Sequence, residues 1–184
     1  MVAHNSRWTL LNKRRRRVDG IVPVNGWDEV LWKRICAVAL AAREDKARYL
    51  RAYKLLGNDL TFPKQRLAGL YVGYLARYRV ASAVGGTPTE EDIAPLALAL
   101  FPRYSKILPG RLDDLEETLR TTYKLSPPED EVKGATFTIR AFVIVGLLLE
   151  NSDDDLRAMR PHLVAWCSRQ ADSIREICAV PPAP

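Results

Sequence analysis

The 184-residue chain has only two histidines, His4 and His162, and three cysteines, Cys36, Cys167 and Cys178. That scarcity removes most nucleophile-and-base or metal chemistry from consideration, because such sites need several donors converging on one point. The cysteines are odd in number, lack CxxC spacing and sit in apolar helical contexts, where a free thiol behaves as a small hydrophobe. They suit a reducing cytoplasm and imply no disulfide framework. Neither a GxGxxG nor a Walker pattern occurs, so nothing here cradles a nucleotide in a glycine loop. No repeat of fixed period and no sustained heptad seam is present. The first residues are basic but lead into VDGIVPVNGW, which lacks the form of a secretory leader.

Long apolar runs are also scarce, with one exception. Val132 to Glu150 contains FTIRAFVIVGLLL, the most apolar stretch in the chain. Its β-branched residues would suit a buried strand, but a strand needs a partner, and no other segment reads as one. A helix is therefore expected. At ~1.5 Å per residue, its uninterrupted apolar part, Ala141 to Leu149, is too short for the ~30 Å hydrocarbon core of a membrane. Arg140, beside it, requires a carboxylate or carbonyl partner or a route to water.

Around this segment the chain reads as two-faced helices. Trp27 to Leu56 carries an apolar stripe of Leu31, Ile35, Val38, Ala42, Tyr49, Tyr53 and Leu56, with Asn25 as a cap and Gly57-Asn58 as a stop. After Phe62-Pro63, the residues Leu67, Leu70, Tyr71, Tyr74, Leu75 and Tyr78 repeat at helical spacing until Gly85-Gly86. Thr87-Pro88-Thr89-Glu90 has the form of a capping box, and Pro95 and Pro102 predict a short or kinked helix ending near Phe101. Further helices follow Gly110 and Ser152, the first with Leu112, Leu115, Leu119 and Tyr123 inward. The second has Leu156, Met159, Leu163, Trp166, Cys167, Ile174 and Ile177 inward and is kinked or split at Pro161. The sum is an all-α, single-domain bundle of about six or seven helices around a central apolar helix. A basic arm and loop (1–26) precede the helical domain (27–180), and a short tail (181–184) follows.

Charge is distributed unevenly. The first eighteen residues hold Arg7, Lys13, Arg14, Arg15, Arg16 and Arg17 and no acid, which accounts for the whole net charge of +6. Arg43 to Arg79 holds nine basic and three acidic residues, whereas Arg111 to Pro184 holds nine against thirteen. Tyrosines 49, 53, 71, 74 and 78 interleave with the basic block and could stack on bases, but they fall on inward stripes and read as core. His162 and Cys167, five residues apart, lie on different faces of a helix and do not form a pair. Asp153-Asp154-Asp155 reads as helix-start chemistry and not as a cation loop, and Gly69 and Gly73 read as a close helix approach. A helix-turn-helix over 89–108 is opposed by its two prolines and its sparse charge.

The expectation is a non-catalytic accessory or regulatory protein that contacts nucleic acid or another acidic macromolecule and needs no cofactor or metal. Its contacts would come from Arg14, Arg15, Arg16 and Arg17 in the arm, then Arg48, Arg51 and Lys54. The alternative is a helical protein-interaction subunit, docking on a partner or a second copy through its opposite charge lobes, with Trp8, Trp27 and Trp32 as anchors. An enzyme using a pocket near Arg140 and His162 is a third, weaker reading. Removing residues 1–18 is expected to weaken binding to nucleic acid and flatten its salt dependence. Affinity unchanged across a salt series would eliminate the arm as a contact.

Overall fold

The computed structural model describes residues 22–124, 131–150 and 152–179. Among them are eight helices and no strand. They are α1 (Glu29–Glu44), α2 (Lys46–Asp59), α3 (Phe62–Val84), α4 (Glu90–Ile107), α5 (Leu112–Lys124), α6 (Glu131–Leu147), α7 (Ser152–Arg169) and α8 (Ala171–Ala179). None is long and apolar enough to cross a membrane. Trp8, the Arg14–Arg17 cluster and residues 181–184 lie outside the described residues.

The apolar segment is helical, as α6, and its residues Ala141 to Val145 are inaccessible to solvent. It packs against α1, α3, α4 and α5. Two close approaches make this possible. On α3, Gly69 and Gly73 face Thr138 and Phe137 of α6; a methyl group at Gly69 would sit 3.2 Å from the Thr138 hydroxyl. On α6 itself, Gly146 lies so near α1 that a Cβ there would come within 2.5 Å of the Ala39 carbonyl oxygen. The α1 face opposite is built from Ala39 and Ala42, small enough to let the backbones meet.

The long helix expected over 27–56 is broken in two. Asp45 is extended (φ −162°, ψ 165°) and serves both helices: its N–H closes α1 on Ala41, and its carboxylate accepts from the Arg48 amide to open α2. Hydrophobic spacing concealed the break, since the inward stripe resumes at Tyr49, seven residues after Ala42. The cap of α1 is Asp28, which accepts from the amides of Val30 and Leu31, while Asn25 accepts from Trp27 two residues on. Helix α2 continues through Gly57-Asn58 to Asp59.

Prolines behave differently from the expectation. Helix α4 runs unbroken through Pro95 and Pro102, so no helix-turn-helix exists over 89–108, and its capping box is Thr89 with Asp92, two residues later than Thr87. The two prolines are seven residues apart, hence on one face, and that face is exposed. The carbonyls they deprive of amide partners, those of Glu91 and Leu98, therefore turn toward water. Helix α7 likewise passes through exposed Pro161, and the division comes instead at Gln170, between α7 and α8. Beyond it Cys178 points inward, and Ile177, expected inside, is 40% exposed. Elsewhere Gly85 adopts the left-handed conformation (φ 77°) that closes α3, with Gly86 N–H donating to Ala81 at 2.9 Å.

Replacing Gly146 with alanine should destabilise the fold by about 1–3 kcal/mol, because a backbone oxygen stands where the methyl must go. Gly57→Ala, on an exposed helical site with nothing within 4 Å, should instead stabilise by ~0.5–1 kcal/mol. Chemical denaturation of both variants checks the contrast.

Candidate functional site

Two places combine polar side chains densely enough to be weighed as sites. The first is interior, where the chain entering α1 meets α3 and α7. Tyr71 donates to the Gly26 carbonyl at 2.5 Å and accepts from the Asp28 amide at 2.8 Å. Lys64, 3% exposed, forms an ion pair with Asp28. Trp27 stacks on Tyr71, and Cys167 adjoins the same hydroxyl. Burial alone would raise the pKa of Asp28. The hydrogen bond from Lys64, the two capping amides and the lysine charge outweigh it, so the carboxyl sits below its ordinary value of 3.8.

The polar groups of this cluster are committed to one another. Burial drives the Tyr71 hydroxyl upward and the Cys167 thiol up to about 11, so neither is ionised near neutrality. Cys178 is pushed up to about 11 by the same cause. Every carboxylate oxygen of Asp28 is committed to a capping amide or to Lys64. The arrangement fastens the loop before α1 to α3 and has the character of a structural bond.

The residues considered for a pocket also find partners. Arg140 reaches Asp114 on α5 at 3.1 Å and the carbonyl of the same residue at 3.4 Å, which satisfies the partner it required. His162 is exposed and lies 5.2 Å from the Tyr78 ring, away from buried Cys167. Asp155 accepts from the Glu150 amide and pairs with Arg79, and Asp154 pairs with Arg157. No group of three or more metal-ligating side chains occurs among the described residues.

The second place is the surface of α2 and the groove beside it. Between Lys46 and Asn58 the helix carries Lys46, Arg48, Arg51 and Lys54 and no acid. All four are exposed, whereas Tyr49 and Leu56 are buried on the opposite side. Arg48 is matched by Glu44 and Asp45. Among the described residues Lys46, Arg51 and Lys54 have no carboxylate within ion-pair reach. Leu50 and Leu55, 44% and 45% exposed, flank the basic stripe. Of the tyrosines of this block, Tyr49 and Tyr71 are fully buried, and Tyr49 donates to the Ile139 carbonyl at 2.7 Å; Tyr53, Tyr74 and Tyr78 are half-buried, with their rings against Phe142, Trp166 and His162.

The groove opens at the α1–α2 elbow. It has a volume of about 510 Å³ and is walled by Arg43 and Lys46 on one side and Arg103 and Lys106 of α4 on the other, above Leu147. Sequence reading placed Arg43 in a basic block and Arg103 and Lys106 in a disfavoured helix-turn-helix, and did not bring them together. For Arg103 and Lys106 the available signal was spacing, three residues apart and so on one side of α4; Arg43 and Lys46 lie on different helices either side of Asp45, and no spacing rule joins them.

Of the tryptophans proposed as anchors, Trp8 lies outside the described residues, and Trp27 and Trp32 pack into the body of the protein. Trp32 is 5% exposed, and Trp27 is half-buried between Trp32 and Tyr71, with Arg160 over its ring. Aromatic bulk near the start of the first helix reflects core packing. Compared with family models, curated proteins and solved structures, the chain matches none.

Replacing Asp28 with alanine strands the Lys64 ammonium in the interior and should cost about 3 kcal/mol. Because the Asp28 carboxyl is more acidic folded than unfolded, its stabilisation is complete above 3.8 and is lost as pH falls through its lower folded value. The acid limb of the stability profile should therefore be shallower in Asp28→Ala than in the parent. Parallel limbs in urea titrations from pH 2 to 6 would show that Asp28 is not the group responsible.

Proposed function

We propose that the protein is a non-catalytic binding module for nucleic acid, acting as an accessory or regulatory component. The observation that supports this most directly is the stretch of α2 from Lys46 to Asn58, which holds no acid and where Lys46, Arg51 and Lys54 stand exposed without carboxylate partners among the described residues. Cations so placed neutralise phosphates and release counterions, the sequence-independent part of nucleic-acid affinity. The Arg14 to Arg17 cluster adds four more charges to the same chain, and in this reading extends the contact beyond the helical body. Tyr49 and Tyr71 are buried and the rings of Tyr53, Tyr74 and Tyr78 already pack on Phe142, Trp166 and His162, which argues against base stacking as the main source of affinity and for binding governed by the backbone and tolerant of sequence. Three free cysteines fit a reducing compartment such as the cytoplasm.

A second reading, a protein-interaction subunit, draws support from α4. Its outer face presents Ala94, Pro95, Leu98, Ala99 and Pro102, with Leu98 65% exposed and no charge among them. Such a face suits a protein surface better than a polyanion.

Charge reversal separates the two. Arg51→Glu with Lys54→Glu should weaken binding of a mixed-sequence oligonucleotide at least tenfold and reduce the slope of log affinity against log salt by roughly 1.4–1.8. Fluorescence anisotropy across a salt series measures both. Binding indistinguishable from the parent at every salt concentration would refute the α2 contact, and a dimer or larger species unaffected by oligonucleotide would favour the second reading.

A further inference from the structure

The groove at the α1–α2 elbow differs from the α2 face in its shape and in the density of its charge. Its walls come from segments distant in sequence, the residues 42–47 and the last turns of α4, and its floor is apolar, formed by Ala42, Ala47, Ile107 and Leu147. Arg43, Lys46, Arg103 and Lys106 converge on it. Two acids, Glu44 and Asp45, also line it, but both carboxylates are turned to Arg48: Glu44 accepts from its guanidinium, and Asp45 from its amide at 2.9 Å and its side chain at 3.6 Å. Arg48 offsets one of the two acids, and counting it, five cations against two carboxylates leave the groove with an excess of three positive charges.

The arginines are held in place. Arg43 donates to the Glu150 carbonyl at 3.0 Å and Arg103 to the Leu147 carbonyl at 3.5 Å, so both guanidiniums are fixed against the end of α6. A guanidinium has five N–H donors, and the single carbonyl bond of Arg103 leaves others directed elsewhere. Lys46 and Lys106 have no carboxylate partner among the described residues, and both are exposed at the groove mouth.

We propose that this groove seats the phosphate monoester of a nucleotide. Several cations meeting in one concavity match a dianionic monoester better than a singly charged backbone diester, whose partners are strung along a face as on α2. An apolar floor beside the charged rim fits the ribose and base that accompany such a phosphate. The volume of about 510 Å³ lies within the ~300–1,000 Å³ typical of small-molecule sites. The monoester has two sources, a free nucleoside monophosphate or the phosphorylated end of a nucleic acid. The choice of a nucleotide rests on the nucleic-acid reading above, but the phosphate seat stands on the groove.

The test uses the full chain and four probes: inorganic phosphate, adenosine monophosphate, and one oligonucleotide with either a 5′-phosphate or a 5′-hydroxyl. Calorimetry should show saturable binding of adenosine monophosphate, and weaker binding of inorganic phosphate, which lacks the group for the apolar floor. Lys106→Glu and Lys46→Glu, both at exposed positions, should each weaken the nucleotide at least tenfold with an unchanged circular dichroism spectrum. Arg51→Glu with Lys54→Glu should leave nucleotide affinity within twofold while weakening the oligonucleotide. If the end of a nucleic acid is the source, the 5′-phosphorylated oligonucleotide binds at least tenfold tighter than its hydroxyl counterpart, and Lys106→Glu removes the difference. Nucleotide binding without that preference assigns the seat to the free ligand. Absence of saturable nucleotide binding, or binding that survives both lysine reversals, overturns the proposal. Oligonucleotide binding that persists without any nucleotide binding leaves the α2 reading intact, and the converse leaves only the seat.

Discussion

An apolar helix buried along its whole last half cannot leave its terminal carbonyls to water, and the end of α6 shows how this chain meets that demand. The last four carbonyls of any helix lack internal partners, and leaving them dry would cost about 1–3 kcal/mol each. The amides of Leu148 and Leu149 take the carbonyls of Ile144, Val145 and Gly146, and three arginines from three different helices take carbonyls at and just beyond the end: Arg103 of α4 on Leu147, Arg79 of α3 on Leu148 and Arg43 of α1 on Glu150. Their positive charge also complements the negative end of the helix dipole. Arg79 goes further, linking that carbonyl to Asp155, which in turn accepts from the Glu150 amide. The turn into α7 is thus fixed by the same guanidinium that closes α6. Gly146 completes the arrangement, because only a residue without a side chain lets α1 come near enough for Arg43 to reach.

Much of this architecture was legible, and for a definable reason. Where burial depends on helical spacing alone, as along α3, the inward set of Leu67, Tyr71 and Leu75 could be read directly. The helical state of the apolar segment followed from the lack of strand partners, and the need of Arg140 for an acid followed from the cost of an unpaired charge. Failures cluster where a residue can play two local roles. Asp45 suits a helix interior poorly and a cap well, yet the apolar stripe on either side kept its phase, so periodicity gave no warning. Pro95, Pro102 and Pro161 were read as breakers, but a proline on the solvent side frees a carbonyl that water can satisfy. Proline ends a helix reliably only where the freed carbonyl would be dry.

The site was legible only in part, because a sequence displays runs and not convergences. The α2 residues Arg48, Arg51 and Lys54 were visible as off-stripe cations within one helix, and they are exposed as expected. The groove was not visible, since Lys46 and Lys106 are sixty residues apart and meet only when α4 packs beside the elbow. Trp27 and Trp32 misled for the opposite reason: a cluster of aromatics near one end of a chain resembles an interface, yet here it fills space around Tyr71. Two of the groove's cations have a structural duty at the end of α6. In this reading the scaffold and the anion seat share Arg43 and Arg103, and the rigidity of one serves the other.

The single extended residue between α1 and α2 carries an implication for how this chain tolerates change in length. Each residue added to a helix turns the chain beyond it by about 100°. An insertion within the first turn of α2, between Lys46 and Arg48, would rotate that turn against the rest of the helix, setting the Asp45 cap out of phase with Tyr49 beneath Ile139. A change of length is therefore absorbed at the extended residue itself and not inside either helix, whose inward stripes fix its phase.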